Sequence, residues 1–438
     1  MFYLKKVSMF TYMMFLFYIC FVPQTWGDID WSTGTLIEQM VSPPEQITTK
    51  IYLGSSVAIS NDYAIIGAKK DDSIVYQGGA ASIYEKNEGK WSLVKRIDAQ
   101  KSGYLGRSVA LAGNFAFASA PAFDIDDNQK DVGIVYVYQR QKSGDWVQTQ
   151  TLFPDPIETL QNFGTSMATS NDTQLIVGGY GSSDHSGKAF IFELEGNQWI
   201  QRHYLEPEEP DIGGRFGIDV DIYNDYVIVG AYKAFSFQGA VYIFHKEDGH
   251  WIQKQRIISP YNHLYSFFGY SVSIHENYAV VGSKSEQLND YRNAGAVYVY
   301  RRTENSWEQM PKLVEPDLQK EDRFGESLDI KGNILAVGSP KMDAEIVNSG
   351  AVNIYRIEND HFVLLRKITA KYPQEEVRYG CSLVIDEHQI LVGSESYDNY
   401  GVRNGSAFFY SFDPYVPNGV LGLDDAIQVL KILSDTEQ

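Results

Sequence analysis

From about residue 35 to residue 412 apolar and polar positions alternate with a period of two, in runs of five to eight residues separated by turn-forming pairs. Residues 268–286, FGYSVSIHENYAVVGSKSE, show the pattern in miniature. An aromatic-glycine start leads into an alternating run, a polar pair turns the chain, and a second apolar run ends on Gly-Ser. This is the pattern of a β-hairpin. It recurs seven times, aligned on Gly54, Gly106, Gly164, Gly217, Gly269, Gly325 and Gly380, at intervals of 52, 58, 53, 52, 56 and 55 residues. Each copy goes on to a variable polar loop and a third strand such as GAVYIF or GAVYVY. A fourth strand follows in the first six copies, opening on Trp91, Trp146, Trp199, Trp251, Trp307 or Phe362.

Four short strands in every ~54 residues is the arithmetic of a propeller blade. One such sheet has two faces to bury and cannot bury them alone, so neighbours must stack. The expected fold is all-β: a seven-bladed β-propeller of four-stranded blades, with repeats starting near residues 53, 105, 163, 216, 268, 324 and 379. An open β-solenoid is the alternative, and the chain ends favour the ring. The seventh copy stops after its third strand at Tyr410, while TLIEQMVSP (35–43) stands ahead of the first copy and resembles the fourth-strand endings KQRIISP and MPKLVEP. A ring closed by the N-terminal strand accounts for both and leaves no raw sheet edge.

Composition narrows the setting. Lys5 and Lys6 precede the apolar stretch 7–22, and small residues at 25 and 27 allow cleavage before Asp28, which reads as a signal peptide over 1–27. Sixteen apolar-rich residues fall short of the ~20 that span a bilayer, so no stable transmembrane anchor is expected. Removing the two lysines from 37 basic residues leaves 35 against 56 acidic ones, a net charge of −21. Nucleic acid is therefore an unsuitable partner. Cys381 is the one cysteine beyond the leader, which excludes an intrachain disulfide in the mature chain.

Seven tandem starts, four Phe-Gly, two Leu-Gly and one Tyr-Gly, followed ~12 residues later by Gly-Ala or Gly-Ser in most copies, resemble the FG-GAP repeat of integrin α-subunit β-propellers. The resemblance covers residues ~35–412, nearly all of the chain after the leader. It implies a secreted or cell-surface recognition or adhesion scaffold without catalysis, binding a protein or glycan ligand on the face that carries the loops between strands two and three and between blades. On those loops the candidate contacts are Asp71, Asp72, Tyr76, Phe235, Phe237, Tyr291, Arg292, Tyr397, Tyr400 and Arg403. Cation-binding members of that family hold calcium between strands one and two. Here each such connection is expected to be a two-residue turn, such as Asn61-Asp62 or Asn224-Asp225, too short to supply six to eight oxygens. No cofactor is therefore expected. Asp124, Asp126, Asp127 and Asp131 form the one loop that resembles a calcium site, yet it lacks the turn glycine and reads as a solvated acidic loop.

Residues 413–438 differ from the rest. Asp424 can cap a short C-terminal helix with Ala426, Ile427, Leu430 and Leu433 on one face. The segment resembles half of a dockerin repeat, with Pro414 and Val416 at two ligand positions, so calcium there is unsupported; it is expected to dock on the propeller or on a partner. None of the eight histidines has the His-Glu-x-x-His spacing of a zinc hydrolase, and the stretch GGYGSSDHSG (178–187), with Gly, Ser, Asp and His close together, joins two strands rather than forming a nucleophile elbow. A structural role in an extracellular assembly, or a carbohydrate-active propeller enzyme with paired carboxylates, are the alternative readings.

Overall fold

A computed structural model describes residues 36–41, 51–181, 185–261, 264–304, 306–317, 319–386, 389–399 and 402–412. The signal segment 1–27, the tail 413–438 with its expected helix, the turn pair at 387–388 and Tyr400 lie outside them.

Seven four-stranded antiparallel sheets follow one another along the chain. The first is Leu53–Ser60, Tyr63–Ala68, Ala80–Asn87 and Lys90–Asp98, hydrogen-bonded in that order, and the next five repeat the scheme. The seventh takes Tyr379–Asp386, Gln389–Ser394 and Ser406–Phe412 from the end of the chain, and its fourth strand is Leu36–Val41. That strand runs antiparallel to the third, from Leu36 opposite Phe412 to Val41 opposite Ala407. Among the described residues the helical content is one four-residue turn, Ala234–Phe237, and no helix is long and apolar enough to cross a membrane.

The repeat's invariant features are joints between blades. The glycine that ends the second strand touches the next blade through its bare Cα. A methyl on Gly393 would lie 2.0 Å from the Gly54 carbonyl oxygen, and one on Gly67 would lie 2.1 Å from that of Gly106. Backbone thus packs on backbone where any side chain would intrude. Two residues after the opening glycine, a serine hydroxyl donates to the same carbonyl of the following blade. Ser56 reaches Gly106 at 2.9 Å, Ser271 reaches Gly325 at 2.8 Å, Ser327 reaches Gly380 at 2.7 Å and Ser382 reaches Gly54 at 2.8 Å. The last of these joins blade seven to blade one, as does a parallel bridge between Gly405 and Leu53. The second blade departs from the rule: Ser119 replaces the glycine, and its hydroxyl donates to the Ser108 carbonyl at 3.0 Å.

Aromatic residues fill the space between sheets. The tryptophan that opens a fourth strand packs on the preceding blade: Trp146 on Tyr63 with ring centroids 5.6 Å apart, Trp199 on Phe117 at 5.0 Å, and Trp307 on Tyr226 at 5.9 Å. Trp91 stacks on Phe409 of blade seven at 4.3 Å, so the same contact recurs across the point where the ring closes. Such pairs contribute about 0.5–1.5 kcal/mol each beyond the area they bury. The strand-one/two turns are two residues long in the described copies except the third, where Asn171, Asp172 and Thr173 make a three-residue turn between Ser170 and Gln174. Asn171 and Asp172 both take positive φ there, the conformation Asn and Asp tolerate best after glycine.

Candidate recognition rim and axial channel

Antiparallel pairing places the loops between strands two and three, and those between blades, on one rim of the ring, with all the short turns on the other. The candidate contact residues divide sharply by exposure. Tyr76 is 74% exposed beside Ile74 at 65%, and Tyr291, Arg292, Arg403 and Asp72 are also at the surface. Asp71 and Tyr397 are not available as contacts: each is 3% exposed. Asp71 accepts hydrogen bonds from Ser73 and is ion-paired with Arg96. Tyr397 donates its hydroxyl to the Tyr372 carbonyl at 2.8 Å and packs edge-on against Phe408.

These two share a column of the repeat, four residues after the glycine that ends strand two, with Phe123, Ala234, Glu286 and Met342. The carbonyl of each accepts from the glycine that begins strand three, at 2.9 Å for Gly79 to Asp71, 3.1 Å for Gly295 to Glu286 and 2.9 Å for Gly405 to Tyr397. The position pins the loop to the sheet, so its side chain faces inward whatever its polarity. Buried acids placed here need partners. Glu286, fully buried, accepts from the Tyr298 hydroxyl and pairs with Lys312 at 2.8 Å.

Phe235 and Phe237 are half-buried rather than free anchors. Phe235 packs against the core between blades three and four, beneath the Arg256 guanidinium at 5.2 Å, and its N–H is held by Asp211. Phe237 lies 5.0 Å from the ring of Tyr265. Phe235, Ser236 and Phe237 have φ of 52°, 59° and 70°, left-handed values that bulky residues rarely adopt. In the acidic loop, Asp124 accepts from the Asp131 N–H at 2.8 Å and pairs with Lys130 at 3.1 Å; that backbone hydrogen bond holds its carboxyl below the usual range. Asp126 caps the N–H groups of Asn128 and Gln129, Asp127 is exposed, and burial raises Asp131. The oxygens of Asp124, Asp126 and Asp127 turn to their own loop. Among the described residues no group of three or more His, Cys, Asp or Glu side chains could hold a metal ion.

The first strands of all seven blades line an axial cavity of about 570 Å³. Its end toward the long-loop rim is charged. Glu395 pairs with Lys69 at 2.6 Å and with Arg378, which also pairs with Glu326; Arg323 and Lys284 lie 3.4 and 3.9 Å from Glu326. Burial opposes ionisation of Glu395, but Lys69 and Arg378 carry its carboxyl below the usual range. Burial likewise opposes the Arg378 charge, yet Glu395 and Glu326 hold it above the ordinary guanidinium range. The Cys381 thiol beside them is pushed up to about 12, chiefly by burial, and is inert as a nucleophile at neutral pH.

Deeper in the channel are three half-buried carboxyls: Asp219 and Asp221 on blade four and Asp329 on blade six. Burial raises them to about 7, 7 and 6. They join blades. Asp219 accepts from the Val272 N–H at 2.8 Å, Asp221 from the Ile274 N–H at 2.7 Å, and Asp329 from the Ile385 N–H at 2.8 Å. The Ser273 hydroxyl oxygen lies 2.8 Å from Asp221 and 3.1 Å from Asp329. The sequence signal for these residues was present but unread: an acid at an inward position of the alternating runs FGIDVDI and FGESLDI.

A family model described as FG-GAP repeat matches residues 48–84, 146–192, 199–244, 251–300 and 307–355, more than half of the chain. The chain belongs to the FG-GAP repeat family. Four of the five matched segments run from a fourth-strand tryptophan through the third strand of the next blade, so the FG-GAP unit is offset by one strand from the blade. The matches leave out the second blade's hairpin with Ser119, and also residues 413–438, whose likeness to a dockerin gains no support. None of the curated proteins compared matches the chain. Among solved structures, a protein from Lactobacillus plantarum is 13% identical with a TM-score of 0.49, covering 73% of this chain and 86% of its own. The periplasmic gluconolactonase PpgL of Pseudomonas aeruginosa is 12% identical with a TM-score of 0.49, covering 74% and 87%. Neither likeness transfers an activity to this FG-GAP protein.

Proposed function

We propose that this FG-GAP propeller is an exported, non-catalytic recognition scaffold that binds a protein or glycan on its long-loop rim. One observation carries the reading. Among the described residues, every exposed large apolar side chain lies on an outer strand or on the long-loop rim, and none on the short turns. The rim presents Ile74, Tyr76, Ile212, Leu264, Tyr265, Val347 and Tyr372, with Ile212 at 79% and Tyr372 at 64% exposure. Outer strands are the flank of any propeller, but apolar loop tips left in water carry an unfavourable hydration that a covering partner would relieve. A glycosidase reading needs paired carboxylates free to meet a substrate; the pair in the channel, Asp221 and Asp329, is engaged by backbone N–H groups of adjoining blades. Site-specific photo-crosslinking separates the faces. With p-benzoylphenylalanine at position 76, the protein should form a discrete adduct in the extracellular fraction of its native host. The same label at Glu88, on a short turn of the opposite rim, should form none. Adducts from position 88 and none from 76 would reverse the assignment.

A further inference from the structure

Cations outnumber carboxylates at the rim end of the axial channel, in a chain whose formal net charge is −19. Lys69, Lys284, Arg323 and Arg378 share two buried carboxylates, Glu326 and Glu395. A fifth cation, Arg107, lines the cavity from blade two and has no ion-pair or side-chain hydrogen-bond partner among the described residues. Its charge is nonetheless close enough to lower the carboxyls of Glu395 across the ring and of Asp219 below it. Glu395 is already held by Lys69 and Arg378, so Arg107 has no carboxylate of its own. The Nε–H groups of Arg323 and Arg378 are also buried without a partner among the described residues. A half-buried guanidinium offers five donors in a fixed fork suited to a planar or tetrahedral oxyanion. The cavity volume falls within the ~300–1,000 Å³ of small-molecule sites.

We propose that the channel mouth binds a small solute through a single oxyanion group, a carboxylate or phosphate, taken by Arg107 with Lys69 and Arg378 beside it. This site is separate from the apolar loop tips and does not depend on what they bind. The ring of fixed cations attracts the anion. Lys284 lies 3.2 Å from the centre of the Tyr270 ring and is 9% exposed, so it supports the field rather than making contact.

Isothermal titration of the full chain with citrate, glucuronate and inorganic phosphate tests the proposal, with glucose as the neutral control. At least one of the three anions should bind with one-to-one stoichiometry, more weakly at higher salt, and glucose should not. Preference for glucuronate or citrate over phosphate identifies a carboxylate ligand, and the reverse order a phosphate. Arg107→Gln should weaken that binding tenfold or more while leaving the melting temperature nearly unchanged, because Arg107 makes no ion pair or side-chain hydrogen bond among the described residues. Tyr76→Ser should leave the anion affinity intact. Absence of binding by all three anions at millimolar concentration, or unchanged affinity in Arg107→Gln, overturns the site and leaves the rim reading standing.

Discussion

At the scale of single residues, the channel carboxyls make the most direct prediction. Burial raises Asp329 to about 6, whereas an aspartate in the unfolded chain titrates near ~3.9. Between those values the folded protein holds more protons than the unfolded one, so this group's contribution to stability falls as pH rises through that window and is constant above it. Asp329→Asn keeps an acceptor for the Ile385 N–H, offers a donor to Ser273 and cannot ionise. The melting temperature of Asp329→Asn should therefore rise relative to wild type between pH 4 and 6 and hold a steady lead above pH 7. His275, lowered to about 4 mainly by burial, works in the opposite direction and cancels in that difference. A lead that is constant from pH 4 to 8 would show that Asp329 ionises normally. Loop position alone chose Asp71 and Tyr397 as contacts because loops are usually polar and solvated. Comparing their repeat column, where Phe123, Met342 and Glu286 also stand, would have marked both as buried.

At the scale of elements, nearly the whole blade was legible, because alternation, turn pairs and glycines each report local geometry. What stayed hidden were contacts between copies that no single copy reveals. The serine two residues after the opening glycine looked like an ordinary polar position of a strand, and is a latch to the next blade. The left-handed turn Ala234–Phe237 was equally invisible, since its backbone is held by Asp211 from the preceding inter-blade loop. The glycine joint has a measurable cost. Gly393→Ala would set a methyl against the Gly54 carbonyl, which has no flexible side chain to yield, and should destabilise the protein by about 3 kcal/mol or more in urea unfolding. Gly89→Ala is the control: nothing lies within 4 Å of its added methyl, and the positive φ of 76° alone should cost about 1 kcal/mol. Equal losses at the two positions would mean the joint is looser than the geometry indicates.

At the scale of the molecule, the seventh sheet joins three strands of the last repeat to an outer strand, Leu36–Val41, that precedes the first repeat. Deleting residues 36–41 should leave the Ser406–Phe412 strand as an open edge and remove six paired residues. The shortened protein should aggregate or lose several kcal/mol of stability. If it stays monomeric with an unchanged melting temperature, the ring is held by the remaining contacts between blades seven and one, among them Ser382–Gly54, Gly405–Leu53 and the Trp91–Phe409 stack.

The blade joint separates architecture from chemistry. Because glycine Cα atoms and peptide carbonyls set the distance between neighbouring blades, the diameter of the ring is nearly independent of the side chains that face its axis. The seven internal copies illustrate that freedom. Two residues after the opening glycine the chain has serine six times and aspartate once. One residue after it come Ser55, Arg107, Thr165, Ile218, Tyr270, Glu326 and Cys381, all different. Drift at the second kind of position re-lines the bore without re-sizing it. A lineage with this joint can exchange the solute its axis admits one substitution at a time, while the wheel itself keeps turning out the same.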